Sequence, residues 1–201
     1  MRVIAGSARG LQLKAPPGLT TRPMTDRVKE SLFGTLNALG YPQPGDRVLD
    51  IYAGTGSLGI ETLSRGAATC DFVEQNPSVA RIITANLAAT RLASQGYVRQ
   101  MPVASFLRSS RPVPPTSLPP AISHGGTEYD IIFMDPPYAD PEIVTILGRL
   151  AGPGFLAAEG LLVVGHAAAV EMPDAPGTLR RIRHKALGGS AYSLYKRAAN
   201  G

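Results

Sequence analysis

The chain has 201 residues, 44% hydrophobic and 17% charged, enough for one domain of ordinary size with a full core and unlike a disordered tail. No apolar run approaches the roughly 20 residues that span a bilayer, and Met1 to Arg9 lacks the long apolar core of a signal peptide. Cys70 is the single cysteine, which excludes an internal disulfide and argues against a Cys-based zinc site, so a cytoplasmic protein is expected.

The net charge of +5 is unevenly placed. Residues 1–47 hold seven Lys/Arg against three Asp/Glu, residues 179–201 hold six against none, and residues 48–178 hold seven against twelve. Basic ends around an acidic centre fit a chain that grips a polyanion at its periphery and works on something neutral or cationic in the middle. Solvated basic termini are the plainer alternative.

In chain order, Val3-Ile4-Ala5 and Leu11 to Lys14 predict a β-hairpin ahead of the main domain, closed by Pro16-Pro17-Gly18. Thr25 or Asp26 caps a helix to about Leu39, with Val28, Leu32, Leu36 and Leu39 on one face. Arg47 to Tyr52 reads as a strand and is followed by Ala53 to Gly59 and a helix to about Arg65. Asp71 to Glu74 is a second strand, Pro77 opens a helix to about Leu92, and Tyr97 to Met101 is a weaker third strand.

Between Ser109 and Thr127, five prolines and a Gly-Gly pair form an excursion without periodicity. Ile131 to Met134 is short, β-prone and apolar at consecutive positions, as in a central strand buried on both faces. Pro136 ends it. A helix over Ile143 to Leu150, a strand at Leu161 to Val164, and basic strands at Leu179 to Lys185 and Tyr192 to Lys196 complete the order. Strands alternating with helices predict an α/β, doubly wound, mostly parallel sheet, whose ligands sit at the strands' carboxyl ends.

Gly54-x-Gly56-x-x-Gly59 follows a strand and opens a helix, the setting of a nucleotide-binding loop, although a tight strand-to-helix turn also explains it. Asp50 lies where a pyrophosphate would gain nothing and an ammonium or sulfonium group would. Glu74 ends the next strand about 20 residues after the first glycine, where an acid accepts hydrogen bonds from ribose hydroxyls. S-adenosylmethionine fits both acids.

Asp135-Pro136-Pro137-Tyr138 suits methyl transfer to an exocyclic amine of a nucleobase. The Asp135 carboxylate and the Pro136 carbonyl can accept the two N–H hydrogens, which holds the lone pair towards the donor and stabilises developing positive charge. Tyr138 offers a stacking face worth about 1–3 kcal/mol. A Pro-rich turn explains the prolines but not the flanking acid and tyrosine.

Asp50 to Gly59, Glu74, and Asp135 to Tyr138 resemble the class I S-adenosylmethionine-dependent methyltransferases acting on amino groups. Thr21 to Phe33, Arg2 to Gly6 and Arg9-Gly10 resemble the bacterial 16S rRNA guanine-N2 methyltransferases of the RsmD type, over nearly the whole chain outside 108–128. The resemblance implies a Rossmann-like class I methyltransferase sheet of seven strands, the last antiparallel, over 21–201, with an N-terminal β-hairpin extension at 1–20. It implies methylation of a guanine N2 in helix 31 of 16S rRNA (the nucleotide numbered 966), on the small ribosomal subunit or its assembly intermediate, with S-adenosyl-L-homocysteine as product.

On the matching residues, the resemblance implies cofactor contacts from Asp50, Tyr52, Gly54, Gly56, Glu74, Val103 and Asp135, and catalytic roles for Asp135, Pro136 and Tyr138. Arg2, Arg9, Arg22, Arg27, Arg181, Arg183 and Lys185 are the expected RNA contacts, with cofactor-carboxylate binding, or a plain surface or helix-capping role, the alternatives for Arg22 and Arg27. The chain departs from the family at Gly34 (usually Asn), at Pro102 (usually an acid near the adenine), at Gly165-His166 (often an acid), and at Leu187 to Ser190. His124, His166 and His184 share no ligand spacing, so no metal is assigned. The competing readings are a dinucleotide oxidoreductase, a non-catalytic rRNA-binding assembly factor, and methylation of another RNA or DNA base.

Overall fold

Two adjacent strands, Arg47–Ile51 (β1) and Tyr129–Met134 (β4), form the middle of the sheet. Val48, Leu49 and Ile51 of β1 and Ile131 to Met134 of β4 are fully buried. A strand covered on both faces has no solvent side, so its apolar residues run consecutively instead of alternating. In the computed structural model, which describes residues 1–16, 26–109, 128–137 and 142–198, the remaining strands are Thr69–Glu74 (β2), Gly96–Gln100 (β3), Leu156–Ala167 (β5), Leu179–Leu187 (β6) and Ser190–Arg197 (β7). They make one seven-stranded sheet in the order β3-β2-β1-β4-β5-β7-β6.

The pairs β1–β2, β1–β4, β2–β3 and β4–β5 are parallel, whereas β7 runs antiparallel to both β5 and β6. The expected doubly wound α/β sheet with an antiparallel last strand is therefore present. The strand order reverses its direction of growth between β1 and β4, where such sheets bind ligands. No helix among the described residues is long and apolar enough to cross a membrane.

One sheet face is covered by Asp26–Ala38 (α1), Ser57–Ser64 (α2) and Pro77–Ala89 (α3), which bury Leu32, Phe33, Ile60, Leu63 and Ile83 against Val48, Phe72 and Phe133. The other face is covered by Val103–Arg108 (α4) and Ile143–Ala151 (α5), with Phe106, Ile146 and Leu150 against Leu49, Ile132 and Leu162. Asn76 caps α3 by accepting from the Ser78 amide at 2.9 Å, and Pro77 lies at the first helical position, whose amide has no helical partner in any case.

Two elements differ from expectation. Helix α4 has only six residues, too short for a periodic signal to emerge. Strand β5 begins at Leu156, five residues before the apolar run at Leu161, because Tyr129 pairs with Leu156 across a register shift.

The N-terminal segment pairs antiparallel at Arg2 and Gln12, with the Val3 amide donating to the Leu11 carbonyl at 3.0 Å. Its stability comes from the helices beneath it. Glu61 accepts from the Ile4 and Ala5 amides at 2.7 and 3.0 Å, and Ser64 accepts from the Ala8 amide at 2.9 Å. Gly6 has φ +82°, and a Cβ there would stand 1.7 Å from the Ser64 carbonyl oxygen, so only glycine permits this approach. Farther along, Asn86 of α3 holds Lys14 by both backbone groups.

Candidate active site

The β1–α2 loop leaves the sheet through three left-handed residues: Tyr52 at φ 59°, Gly54 at 53° and Gly56 at 78°. For tyrosine that conformation is strained and persists because the surroundings impose it, as happens at ligand-binding turns. Gly59 has another reason to be glycine. A Cβ there would lie 2.3 Å from the Phe72 ring and 2.6 Å from Cys70 Sγ, so α2 could not pack against β2.

Three carboxylates converge around this loop. Asp50, 2% exposed, accepts the Gly59 amide at 3.0 Å on Oδ2. Burial pushes its carboxyl well above the usual carboxylate range, the Gly59 hydrogen bond opposes this, and the charges of Asp135 and Glu74 add to it. Glu74, at the end of β2, accepts the Gly54 amide at 3.1 Å on one oxygen and the Asn76 amide at 2.8 Å on the other. Asp135 follows β4, and burial raises its carboxyl to about 6. Next to it Pro136 is buried and Pro137 exposed.

A cationic ligand would relieve the repulsion among these acids, whereas a pyrophosphate would increase it. The residues present thus fit a sulfonium-bearing nucleoside better than a dinucleotide. Val103 is buried at the start of α4, and Tyr52 packs on the same hydrophobic cluster. Pro102 precedes that helix and accepts amides with its carbonyl.

Helix α1 connects the site to both basic ends. Lys29 donates to the Arg2 carbonyl at 2.6 Å, while Ser31 and Thr35 hydroxyls lie 3.2 and 2.9 Å from the Tyr192 hydroxyl on β7. Phe33 lies 6.1 Å from Phe133 of β4.

Of the expected RNA contacts, Arg2, Arg9, Arg27, Arg183 and Lys185 are exposed. Arg181 is committed elsewhere. It pairs with Asp174 and donates to the Met172 carbonyl at 2.9 Å, so it braces the β5–β6 connection. Tyr138, Arg22 and the Pro-rich segment at 110–127 lie outside the described residues.

Glu61, Lys29 and Asn86 escaped the sequence reading, although each carried a signal. All three are polar residues at fully buried positions of amphipathic helices, beside Ile60, Val28 and Leu87.

A mostly parallel sheet in this order, with a glycine loop after β1 and acids ending β1 and β2, defines a class I S-adenosylmethionine-dependent methyltransferase fold. The comparisons narrow this further. A family model described as "Conserved hypothetical protein 95" matches residues 1–196, and the chain belongs to that family, the RsmD-type methyltransferases. It is 33% identical over 201 residues to the ribosomal RNA small subunit methyltransferase D of Escherichia coli K12, covering 100% of this chain and 92% of that one.

Among solved structures, a candidate methyltransferase from Escherichia coli superposes with a TM-score of 0.80 at 34% identity, covering 100% of this chain and 99% of the other. A hypothetical protein of Thermus thermophilus gives a TM-score of 0.76 at 30% identity, covering 98% and 99%.

Proposed function

We propose that this methyltransferase uses S-adenosylmethionine to methylate the exocyclic N2 of a guanine in 16S rRNA, the helix 31 nucleotide numbered 966, on the small ribosomal subunit or its assembly intermediate in the cytoplasm. The observation that carries this reading is the convergence of Asp50, Glu74 and Asp135 at the glycine loop of a chain belonging to the RsmD-type family. The cofactor, when bound, supplies an electrophilic methyl on a cationic sulfur. The guanine amine held by Asp135 and Pro136 would take that methyl with its own lone pair, and one amine proton would pass to water.

The chain's own part is binding and orientation. Glu74 serves the ribose hydroxyls, the left-handed turn at Gly54 and Gly56 brings backbone close to the ligand, and Asp50 compensates positive charge. The segment around Val103 borders the adenine, its contacts supplied by backbone in place of the acid that Pro102 replaces. Asp135 and the Pro136 carbonyl accept the amine hydrogens, and Tyr138 stacks on the base. Arg2, Arg9, Arg22, Arg27, Arg183 and Lys185 hold phosphates, with Arg181 shaping the strand that carries the last two.

The test is transfer of a labelled methyl group to small subunits from a strain lacking the modification, with the product position mapped. Asp135→Ala should abolish transfer while S-adenosylhomocysteine still binds. Full activity in that variant would sink the mechanism, and a label on another nucleotide would replace the substrate.

A further inference from the structure

Strand β6 is the free edge of the sheet, and a bulge sorts its cations between the two faces. In the register with β7, Arg180 stands opposite Lys196, Arg183 opposite Leu194 and Lys185 opposite Tyr192. Arg181 stands opposite Tyr195 and His184 opposite Ser193. Directly paired residues point to the same side of a sheet. Tyr192 and Leu194 pack in the cluster that α1 covers, and Tyr195 in the cluster that α5 covers. The register shift between Arg181 and Arg183 passes over Ile182. Strict alternation would put Arg180 on one face and Arg183 and Lys185 on the other; the extra residue brings all three to the α1 side. Helix α1 meets this face at β7, where the Ser31 and Thr35 hydroxyls reach Tyr192, and beyond it Arg180, Arg183 and Lys185 are exposed. Lys196 joins them from β7, its ammonium 5.5 Å above the Tyr41 ring, a contact that holds the charge without neutralising it.

We infer that the α1-side face of the β6–β7 edge is a phosphate track for the RNA strand flanking the target nucleotide, with Arg180 and Lys196 as its far end. This rests on the reading of 16S rRNA as the substrate. Among the described residues none of these four cations is ion-paired with a carboxylate. Like charges set directly opposite one another, as Arg180 and Lys196 are, weaken a sheet, and a polyanion laid over them removes that repulsion. The exposed residues that β6 pairs on this face are all cations, which suits a nucleic-acid backbone and gives a protein partner no apolar anchor. The face also leads to the site. Lys185 pairs with Tyr192, Tyr192 pairs with Gly165, and Gly165 stands beside Asp135 where β5 and β4 end. That row crosses three strand spacings, about 14 Å, and the track then follows the edge for about another 14 Å to Arg180. Contacts of this kind fix affinity and register and leave the choice of base to the site.

The experiment compares the wild type with Arg180→Gln, Lys196→Gln and the double variant, in methyl transfer to small subunits lacking the modification and in binding to protein-free 16S rRNA. Arg81→Gln is the control, an exposed cation on α3, the helix that packs on β3 at the opposite edge of the sheet. Each track substitution should raise KM for subunits and reduce the slope of log affinity against log salt by about 0.7–0.9, which is about 5- to 8-fold in affinity at about 0.1 M salt. The kcat, Tm and S-adenosylhomocysteine affinity should stay at wild-type values, a split that a merely structural role would not give. Arg180→Lys should keep the wild-type KM, because a phosphate contact needs the charge. Unchanged KM and salt slope in the double variant, or a loss no larger than that of Arg81→Gln, would overturn the inference. A loss seen with subunits and absent with protein-free rRNA would also overturn it, giving the face to an acidic protein. Failure of the wild type to methylate 16S rRNA would instead remove the reading beneath it, while the rRNA-binding arm still decides whether the track exists.

Discussion

Lys29 of α1 and Glu61 of α2 face each other at 3.4 Å, and neither side chain is exposed to solvent. Burial lowers the Lys29 pKa and Glu61 opposes that effect. The pair is completed by the Arg2 carbonyl on Lys29, the Ile4 and Ala5 amides on Glu61, and Arg65 Nε at 2.9 Å. Removing Glu61 leaves the buried Lys29 charge with only the Arg2 carbonyl, whereas removing Lys29 leaves Glu61 still held by Arg65 and the two amides. Glu61→Ala should therefore cost about 3–5 kcal/mol in urea unfolding, and Lys29→Met distinctly less, since methionine fills the space and carries no charge. Equal losses would show that the pair acts only as filler.

A smaller gain is available on the same helix. Gly34 sits at an exposed mid-helix position of α1, and a Cβ there would meet nothing within 4 Å. Gly34→Ala should raise stability by about 1 kcal/mol through restricted unfolded-chain freedom and better helix propensity. Unfolding with methyl transfer measured in parallel checks this, with activity expected to be unchanged.

Gly59 gives the opposite outcome. The added methyl would meet Phe72 and Cys70, so Gly59→Ala should lose about 1–3 kcal/mol from overpacking. Because the Gly59 amide also binds Asp50, calorimetry with S-adenosylhomocysteine should show weakened binding as well.

The Asp135 carboxyl gives a pH dependence of defined sign. Its folded-state pKa of about 6 lies above the ordinary 3.8, so the folded chain holds that proton more tightly than the unfolded chain. Its contribution to stability is therefore greatest below the ordinary carboxylate range and is lost as pH rises to about 6. The stability of the wild type relative to Asp135→Asn should decline across that window, measured by unfolding at a series of pH values.

Electrostatic grip is tested by salt. Arg183→Ala and Lys185→Ala on β6 should weaken small-subunit binding and flatten its salt dependence by about one counterion per lost phosphate contact. Arg181→Ala, which loses Asp174 and the Met172 carbonyl, should instead lower thermal stability.

The fold was legible wherever a signal was local. The consecutive apolar residues of β1 and β4, the glycine loop, and the acids Asp50, Glu74 and Asp135 at strand ends all lie within short windows. Relations across the sheet were not. Gly165 reads in one dimension as a lost acid, and only the β4–β5 register reveals the carboxylate lying against it. Glu61 and Asn86 bind partners 57 and 72 residues away, a separation at which periodicity carries no information.

Asn86 has a consequence for how the chain is made. Its side-chain amide donates to the Lys14 carbonyl at 3.1 Å and to the Thr55 carbonyl at 3.0 Å, within the glycine loop. Lys14 therefore cannot be pinned until α3 has been synthesised, whereas Ile4, Ala5 and Ala8 find their partners already on α2. In a nascent chain the last link between the N-terminal arm and the glycine loop thus forms only once α3 is present.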